Sequence, residues 1–419
     1  MRQICNAYIG IVCTALGCLL TACSSSDNAV DNPQPSAALF TVQTTATSGN
    51  CYYEGLTIQL GFPDSDVPVA EAIIKNDGKA TFRADLASFV GRQIWLCVPY
   101  VVKAYHTLTA SEAAARYVTM PDKDAGSTLS TDGYTNDWAI ALYMGINRDG
   151  QTSVPIYWAT GNLIATKTND ANGETQVLFH IATAQESIAE GTANSTSFVG
   201  MDDRLVGQVA DSYAALPAGS QWDLYSFGDA TGLRLYSDVD LYVTDSKQKQ
   251  GETIVYDISG NPLYDIARAQ LGGSWRTPTG GCNATNEFAA LEDDAEEYAQ
   301  LEPNGMPWEV EGKTIGRQYQ YKVKIDGRDI TTNTLCLPSA GYRHGAVFAG
   351  GRGGSCWYWS ATADPTAMTP YVPNGGTYTA PVNKWTTAFN YGYLSGETRW
   401  YPHPRMSGQC IRPVTEYKE

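Results

Sequence analysis

The sequence predicts a mostly β chain with a few helices, an α+β protein that begins with an N-terminal β-sandwich. Three observations carry this. Charged residues make up only 17% while Gly (40), Tyr (26) and Trp (10) are abundant, a profile of β-rich extracellular proteins. Many short apolar runs alternate with period two. Turn signals separate them, as at Asn76-Asp77-Gly78.

Residues 1–36 precede the first of these runs. Arg2 is followed by an apolar stretch from Ile4 to Leu20 that ends at Leu20-Thr21-Ala22-Cys23. A positive start, an apolar run short for a span of about 20 residues, and a small residue before a cysteine make residues 1–22 a signal peptide. The site resembles a lipobox, which implies cleavage before Cys23 and a lipid on its sulfur. Residues 23–36, polar and carrying Pro33 and Pro35, read as a flexible tether. Ser24, where an inner-membrane retention signal often has aspartate, implies by resemblance the outer membrane.

Ten cysteines occur. Cys5, Cys13 and Cys18 leave with the leader and Cys23 takes the lipid. Cys51, Cys97, Cys282, Cys336, Cys356 and Cys410 remain, an even set that suits disulfides in an oxidising compartment. Cys51–Cys97 is the favoured pair, and connectivity among the other four stays open. A zinc site needs close pairs such as C-x2-C, and the sequence has none. A net charge of −16 repels phosphate backbones, which argues against a nucleic-acid partner.

Residues 37–150 read as the sandwich domain. Leu56 to Leu60 alternates as a half-buried strand does, and Ala72-Ile73-Ile74 and Ala80-Thr81-Phe82 flank the turn at Asn76-Asp77-Gly78. Ile94 to Val102 reads as one apolar strand with Pro99 at an edge or bulge. Thr109-Ala110-Ser111-Glu112 is a capping box that opens a short helix. Trp138 to Ile146 returns to strand. The pattern resembles the N-terminal modules of Bacteroidetes fimbrillin-like surface lipoproteins.

Residues 151–419 read as a second domain. A hairpin runs from Pro155–Ile164 through Asn169–Gly173 to Val177–Ala182, and 185–220 reads as a long surface loop. Asn261 as N-cap, Pro262 at N1 and Gly272 after the end punctuate one helix. A second helix spans Asn286 to Leu301, with Phe288, Leu291, Ala295 and Tyr298 inward and Glu287, Glu292, Asp293, Glu296 and Glu297 mostly in water. Tyr319–Ile325, Thr334–Leu337, Cys356–Ser360, Ala388–Tyr393 and Gln409–Val414 are the later strands, and Gly350–Gly354 is a turn between strands.

Several phrases here fall in a recognisable order: Gly272-Gly273-Ser274-Trp275-Arg276-Thr277-Pro278-Thr279, Glu287-Phe288, Leu337-Pro338-Ser339-Ala340-Gly341-Tyr342-Arg343, Trp357-Tyr358-Trp359-Ser360-Ala361-Thr362, then Arg405 with Gly408 and Ile411-Arg412-Pro413-Val414. The order resembles the Fibrobacter succinogenes major paralogous domain of Bacteroidetes surface lipoproteins. The resemblance implies a C-type-lectin-like, formylglycine-generating-enzyme-like fold over roughly 155–415. The chain departs from that family between Pro278 and Glu287.

Candidate chemistry is sparse. Glu302-Pro303-Asn304 matches a lectin calcium tripeptide but precedes the position lectins use. Asp122, Asp124 and Gly126 lack the later ligands of a calcium loop, and Asp238 and Asp240 read as turn or solvent residues. His106, His180, His344 and His403 show no metal-ligand spacing, and no G-x-S-x-G is present. The relatives' reactive cysteine pair has its nearest counterparts in Cys336, Cys356 and Cys410, read as structural. Trp357 and Trp359 read as core. Trp385, Tyr391, Tyr393, Trp400 and Tyr401 remain as flat surfaces for a sugar or a protein. The expectation is a non-enzymatic, cofactor-free surface lipoprotein that binds a protein or glycan, as a fimbrial tip or accessory subunit. A glycan-binding uptake lipoprotein is the alternative, and a formylglycine-generating-like enzyme the third.

Overall fold

Alternation of apolar and polar side chains shapes the first strands of the computed structural model. It describes residues 38–417 other than 45–52, 131–134, 149–153, 190, 193–211, 235–256, 281–286, 293–305, 345–346, 353–354, 364–384, 393–397 and 405–406. β1 (Leu39–Gln43) buries Phe40 and Val42, and β4 (Lys79–Arg83) buries Ala80 and Phe82 between exposed neighbours. They pair antiparallel, with β7 (Tyr117–Thr119) parallel on the other side of β1.

A larger sheet faces the same core. It comprises β2 (Thr57–Gly61), β3 (Ala70–Ile73), β5 (Gln93–Val98), β6 (Val102–Thr107), β9 (Asn136–Arg148), β10 (Val154–Ala159) and β26 (Val414–Glu416). Their order is β26-β10-β9-β6-β5-β2-β3, with β8 (Thr128–Leu129) against β9. Phe40 and Phe82 from the small sheet share one apolar cluster with Ile58, Leu96, Ala104 and Ile140 from the large one. The turn at Asn76-Asp77-Gly78 carries the chain from one sheet to the other, closed by Gly78 N–H to Lys75 C=O at 2.9 Å.

Three sequence expectations change in this half. The single strand from Ile94 to Val102 is the hairpin β5–β6. Pro99 sets the first corner of its turn, Tyr100 takes φ 61°, and Val101 N–H reaches Val98 C=O at 3.0 Å. The boundary expected at about 150 falls between β9 and β10, which pair with each other, and β26 adds to the same sheet. Ala38–Glu419 is accordingly one compact unit. Cys97 is a free buried thiol, so the Cys51–Cys97 bridge is not formed; its strand aims it into the core rather than at a neighbouring loop.

Beyond β10, β11 (Leu163–Asn169) and β12 (Thr175–Ile181) form the expected hairpin, with β15 (Gln221–Trp222) on the far side of β11. Within 185–220, β13 (Ser187–Ile188) pairs with β14 (Gly191–Thr192), and Tyr213 is buried in a 3-10 turn. In the described parts of that stretch Ile188, Ala189, Tyr213 and Leu216 are buried, while Ala214, Ala215 and 217–219 lie at the surface as expected. Then come β16 (Tyr225–Ser226), β17 (Met306–Val310), β18 (Lys313–Ile325) and β19 (Arg328–Pro338), the last three a sheet of their own. β20 (Ala340–His344), β21 (Val347–Arg352), β22 (Ser355–Ala363), β23 (Trp385–Gly392), β24 (Thr398–Pro404) and β25 (Ser407–Gln409) complete a sheet ordered β16-β25-β20-β22-β23-β24, with β21 on β20. Gly350 and Gly351 lie in β21 rather than in a connecting turn. The strand expected over Gln409–Val414 is two strands, β25 and β26, in different sheets.

Helices are short. α1 (Ala110–Ala115) starts at the expected capping box, with Thr109 Oγ1 accepting Glu112 N–H. α2 (Ile266–Leu271) starts later than Asn261 predicts. Asp265 is its N-cap because one oxygen takes Ala267 N–H at 3.0 Å, while Asn261 closes a separate turn through Leu263 N–H. α3 (Glu287–Glu292) buries Phe288 and Leu291 as expected. Glu287 is also buried, which overturns its placement in water. The second core cluster holds Leu163, Tyr213, Trp222, Tyr225, Ile266 and Trp359.

Candidate functional site

A groove opens where β1 begins. Ala38 and Phe40 form one wall, Ala84 to Ala87 after β4 the floor, and Ala110, Ala113 and Ala114 of α1 the other wall. Positions three and four apart share a helix face, and three alanines there leave space that longer side chains would fill. The cavity is about 350 Å³, within the range of small-ligand pockets. Leu86 and Phe40 supply a buried apolar base, and Val90, 43% exposed, forms a rim. Asp85 and Arg116 place one charge of each sign on the lining. The walls are fixed locally. Asp85 Oδ1 accepts Ala87 N–H at 3.1 Å. Arg116 ends α1 in the left-handed region, φ 53°, and its carbonyl takes Thr41 N–H at 2.9 Å, which ties the helix to β1.

A buried ionic centre lies elsewhere. Arg276 Nη2 donates to Glu287 Oε1 at 2.5 Å, Nε to Glu416 Oε1 at 2.7 Å and Nη1 to Ser259 Oγ at 3.0 Å. Glu287 Oε2 accepts from the backbone and hydroxyl of Thr279. Burial opposes ionisation of Glu287, but attraction to Arg276 and these hydrogen bonds hold its carboxyl below the usual range. Burial likewise opposes the charge of Arg276, and the two glutamates outweigh it. Lys103, fully buried, donates to the Glu416 carbonyl, stands 3.7 Å from Asp66 and lies over the Trp95 and Tyr105 rings. Tyr105, Ser274 and Thr415 close a hydroxyl triangle at 2.6–2.7 Å. These groups satisfy one another and fasten β26 to the segment before α3. Two other buried arginines act similarly. Arg343 donates to Tyr213, Ser226 and the Leu224 and Arg234 carbonyls, and Arg412 to the Ala159, Gln185 and Cys336 carbonyls.

Sequence reasoning missed Arg276, Glu287, Lys103, Arg343 and Arg412. A charged residue inside an otherwise apolar phrase, such as Trp275-Arg276-Thr277 or Ile411-Arg412-Pro413, was the available signal.

The residues singled out from sequence are scattered. Cys23, Cys51, Cys282 and Tyr393 lie outside the described residues, as do Glu302-Pro303-Asn304, Asp238 and Asp240. Cys336 is a free buried thiol, so the disulfide expected of it is not formed, and Cys410 is buried in the core. Each is enclosed in the core, Cys336 with its carbonyl held by Arg412. Burial pushes the Cys97 thiol up to about 11 and Cys336 to about 12, far from reactive thiolates. Cys356 lies in β22, beside β23. Trp385 and Tyr391 lie in β23 and Trp400 and Tyr401 in β24, paired strands in which Phe389 is opposite Trp400 and Ala388 opposite Tyr401. Trp359 is core, its Nε1 donating to Tyr225 C=O at 2.7 Å, while Trp357 is half-buried against Tyr342. Asp122 caps a turn through Asp124 N–H. His106 stacks on Trp138 and meets Glu112 at 2.8 Å.

Among the described residues no group of three His, Cys, Asp or Glu is placed to hold a metal ion. None of their helices is long and apolar enough to cross a membrane. The fold defines a mostly β protein with short helices. No family model, curated protein or solved structure matches the chain.

Proposed function

We propose that this chain is an exported bacterial lipoprotein, anchored in the outer membrane by fatty acyl chains on Cys23, whose β body binds a protein or glycan outside the cytoplasm and is not an enzyme. The observation that carries the reading is the order Arg2, apolar run, Leu20-Thr21-Ala22-Cys23, polar tether, then β1 at Leu39. The groove beside β1 and α1 supports a binding role, with a volume suited to an apolar side chain or a small ligand. The finer fold reading is a sandwich followed by a C-type-lectin-like module, in support of which Trp275, Arg276, Leu337, Trp359, Arg412 and Val414 of the resembling phrases are all buried. A fimbrial tip or accessory subunit is the favoured setting. The aromatic strands β23 and β24 favour a second reading, a glycan-binding uptake lipoprotein.

Metabolic labelling with an alkyne fatty acid tests the anchor: the natural chain takes up label in the membrane fraction, and Cys23→Ser does not. An unlabelled natural chain recovered from cytosol overturns the reading. For the ligand, a glycan array and co-purification of pilus subunits separate the two settings. Ala113→Phe, which fills the groove, abolishes binding if the groove is the site.

A further inference from the structure

The two ends of the large sheet are finished differently. At the β26 end, Arg276 pairs with Val414 through two backbone hydrogen bonds of 2.9 Å, so a further segment covers that strand. At the other end β3 is the last strand. Its register against β2 pairs Ala72 with Ile58 and Glu71 with Gln59, and Ile74 N–H donates to Leu56 C=O at 2.9 Å. Antiparallel alternation therefore aims the backbone groups of Ala70, Ala72 and Ile74 at β2, and those of Glu71 and Ile73 away from it. The flanks are already used. Val69 N–H bonds Leu60 C=O, Lys75 N–H bonds Lys79 C=O, and the Lys75 carbonyl takes Gly78 N–H. Pro68 has no N–H to extend a ladder. Among the described residues one short window of open edge remains.

Side chains over that window are unusual for a free edge. Val67, Val69 and Ile73 are 57%, 54% and 57% exposed, three of the few large apolar side chains in water among the described residues. Glu71 and Lys75, both exposed, flank Ile73 on the same face of the strand. Glu71 also accepts Gln59 Nε2 at 2.5 Å, which holds its carboxylate at the strand.

We propose that β3 is a strand-addition edge at which a second copy of this chain pairs antiparallel about a twofold axis through Ala72. In that register Glu71 of one copy lies opposite Ile73 of the other, and four backbone hydrogen bonds join the N–H and C=O groups of these two residues in both copies. Each Glu71 then sits diagonal to Lys75 and to Glu71 of the second copy, so two Glu–Lys attractions outnumber the one Glu–Glu repulsion. The segment is self-complementary in backbone and in charge, which a twofold contact requires. A foreign strand would need neither property. The chain's overall charge of −16 opposes association, so the contact is weak in dilute solution and favoured where copies are concentrated on one surface.

Sedimentation of the full chain in detergent solution over a range of concentrations tests this. A monomer–dimer equilibrium is expected. Ile73→Pro removes an outward N–H without touching the ladder to β2, and Glu71→Lys sets like charges against each other; each weakens dimerisation by about tenfold or more. The exchange Glu71→Lys with Lys75→Glu restores it. Ala72→Cys forms an inter-chain disulfide between the two copies of residue 72, absent from the natural chain, which has alanine there. If Ile73→Pro fails to fold, the charge pair gives the answer alone. A chain monomeric at all concentrations, or a dimer indifferent to the charge reversal and its exchange, overturns the proposal.

Discussion

Glu287 and Arg276 meet at 2.5 Å with both side chains almost fully buried, and Arg276 reaches on to Glu416 at 2.7 Å. Removing Arg276 leaves two buried carboxylates with no cation to balance them. Arg276→Met is expected to cost about 3–5 kcal/mol, measured by denaturant unfolding. Replacing Arg276 by Met and both glutamates by apolar residues of similar volume should cost far less, which separates a broken ion pair from lost packing.

Gly408 occupies a position that only glycine fits. A Cβ there would stand 2.2 Å from Arg343 Nε. Arg343 cannot retreat, because Tyr213, Ser226 and two carbonyls hold its guanidinium. Gly408→Ala is expected to destabilise by about 1–3 kcal/mol or more, read as a lower Tm, with Arg343→Ala in the same background recovering part of the packing strain but not the lost hydrogen bonds.

Acid should weaken the fold through His180. Burial lowers its ring from 6.5 to about 4. The folded state holds it neutral, while the unfolded chain takes a proton below about 6.5. Stability is therefore lost as pH falls from about 6.5 toward 4, by at most about 3 kcal/mol. His180→Gln should flatten the stability–pH profile in that window; an unchanged slope would show that other groups set it.

The groove wall depends on one cap. Thr109→Ala removes the acceptor for Glu112 N–H and is expected to cost about 1 kcal/mol. Hydrogen exchange of the α1 amides should rise well before that of β5 and β6, whose ladder it does not touch.

Local signals were legible in the sequence where a pattern and its partner are close together. The capping box at Thr109 and Glu112 and the β11–β12 hairpin depend on neighbours within a few residues. Glu287 read as a wet helix face because its partners, Arg276 and Thr279, lie outside the helix in the segment before it. Asn261-Pro262 looked like a helix start because both residues suit one. Asp265 wins the cap because Thr277, arriving from beyond the helix, gives its carboxylate two more donors. The boundary near 150 failed for the same reason: nothing in Val154–Ala159 announces that Val414–Glu416 lies beside it. The groove was not legible at all, since it is defined by small side chains rather than by chemistry.

That pairing has a consequence for timing. β10 is made early, but its outer neighbour and the glutamate that grips Arg276 arrive roughly 250 residues later in synthesis, and contacts so far apart form late. Until then Trp158 and the segment around Arg276 lack their final neighbours, and the chain must wait, unfinished and vulnerable to proteases, for a three-residue stretch to dock.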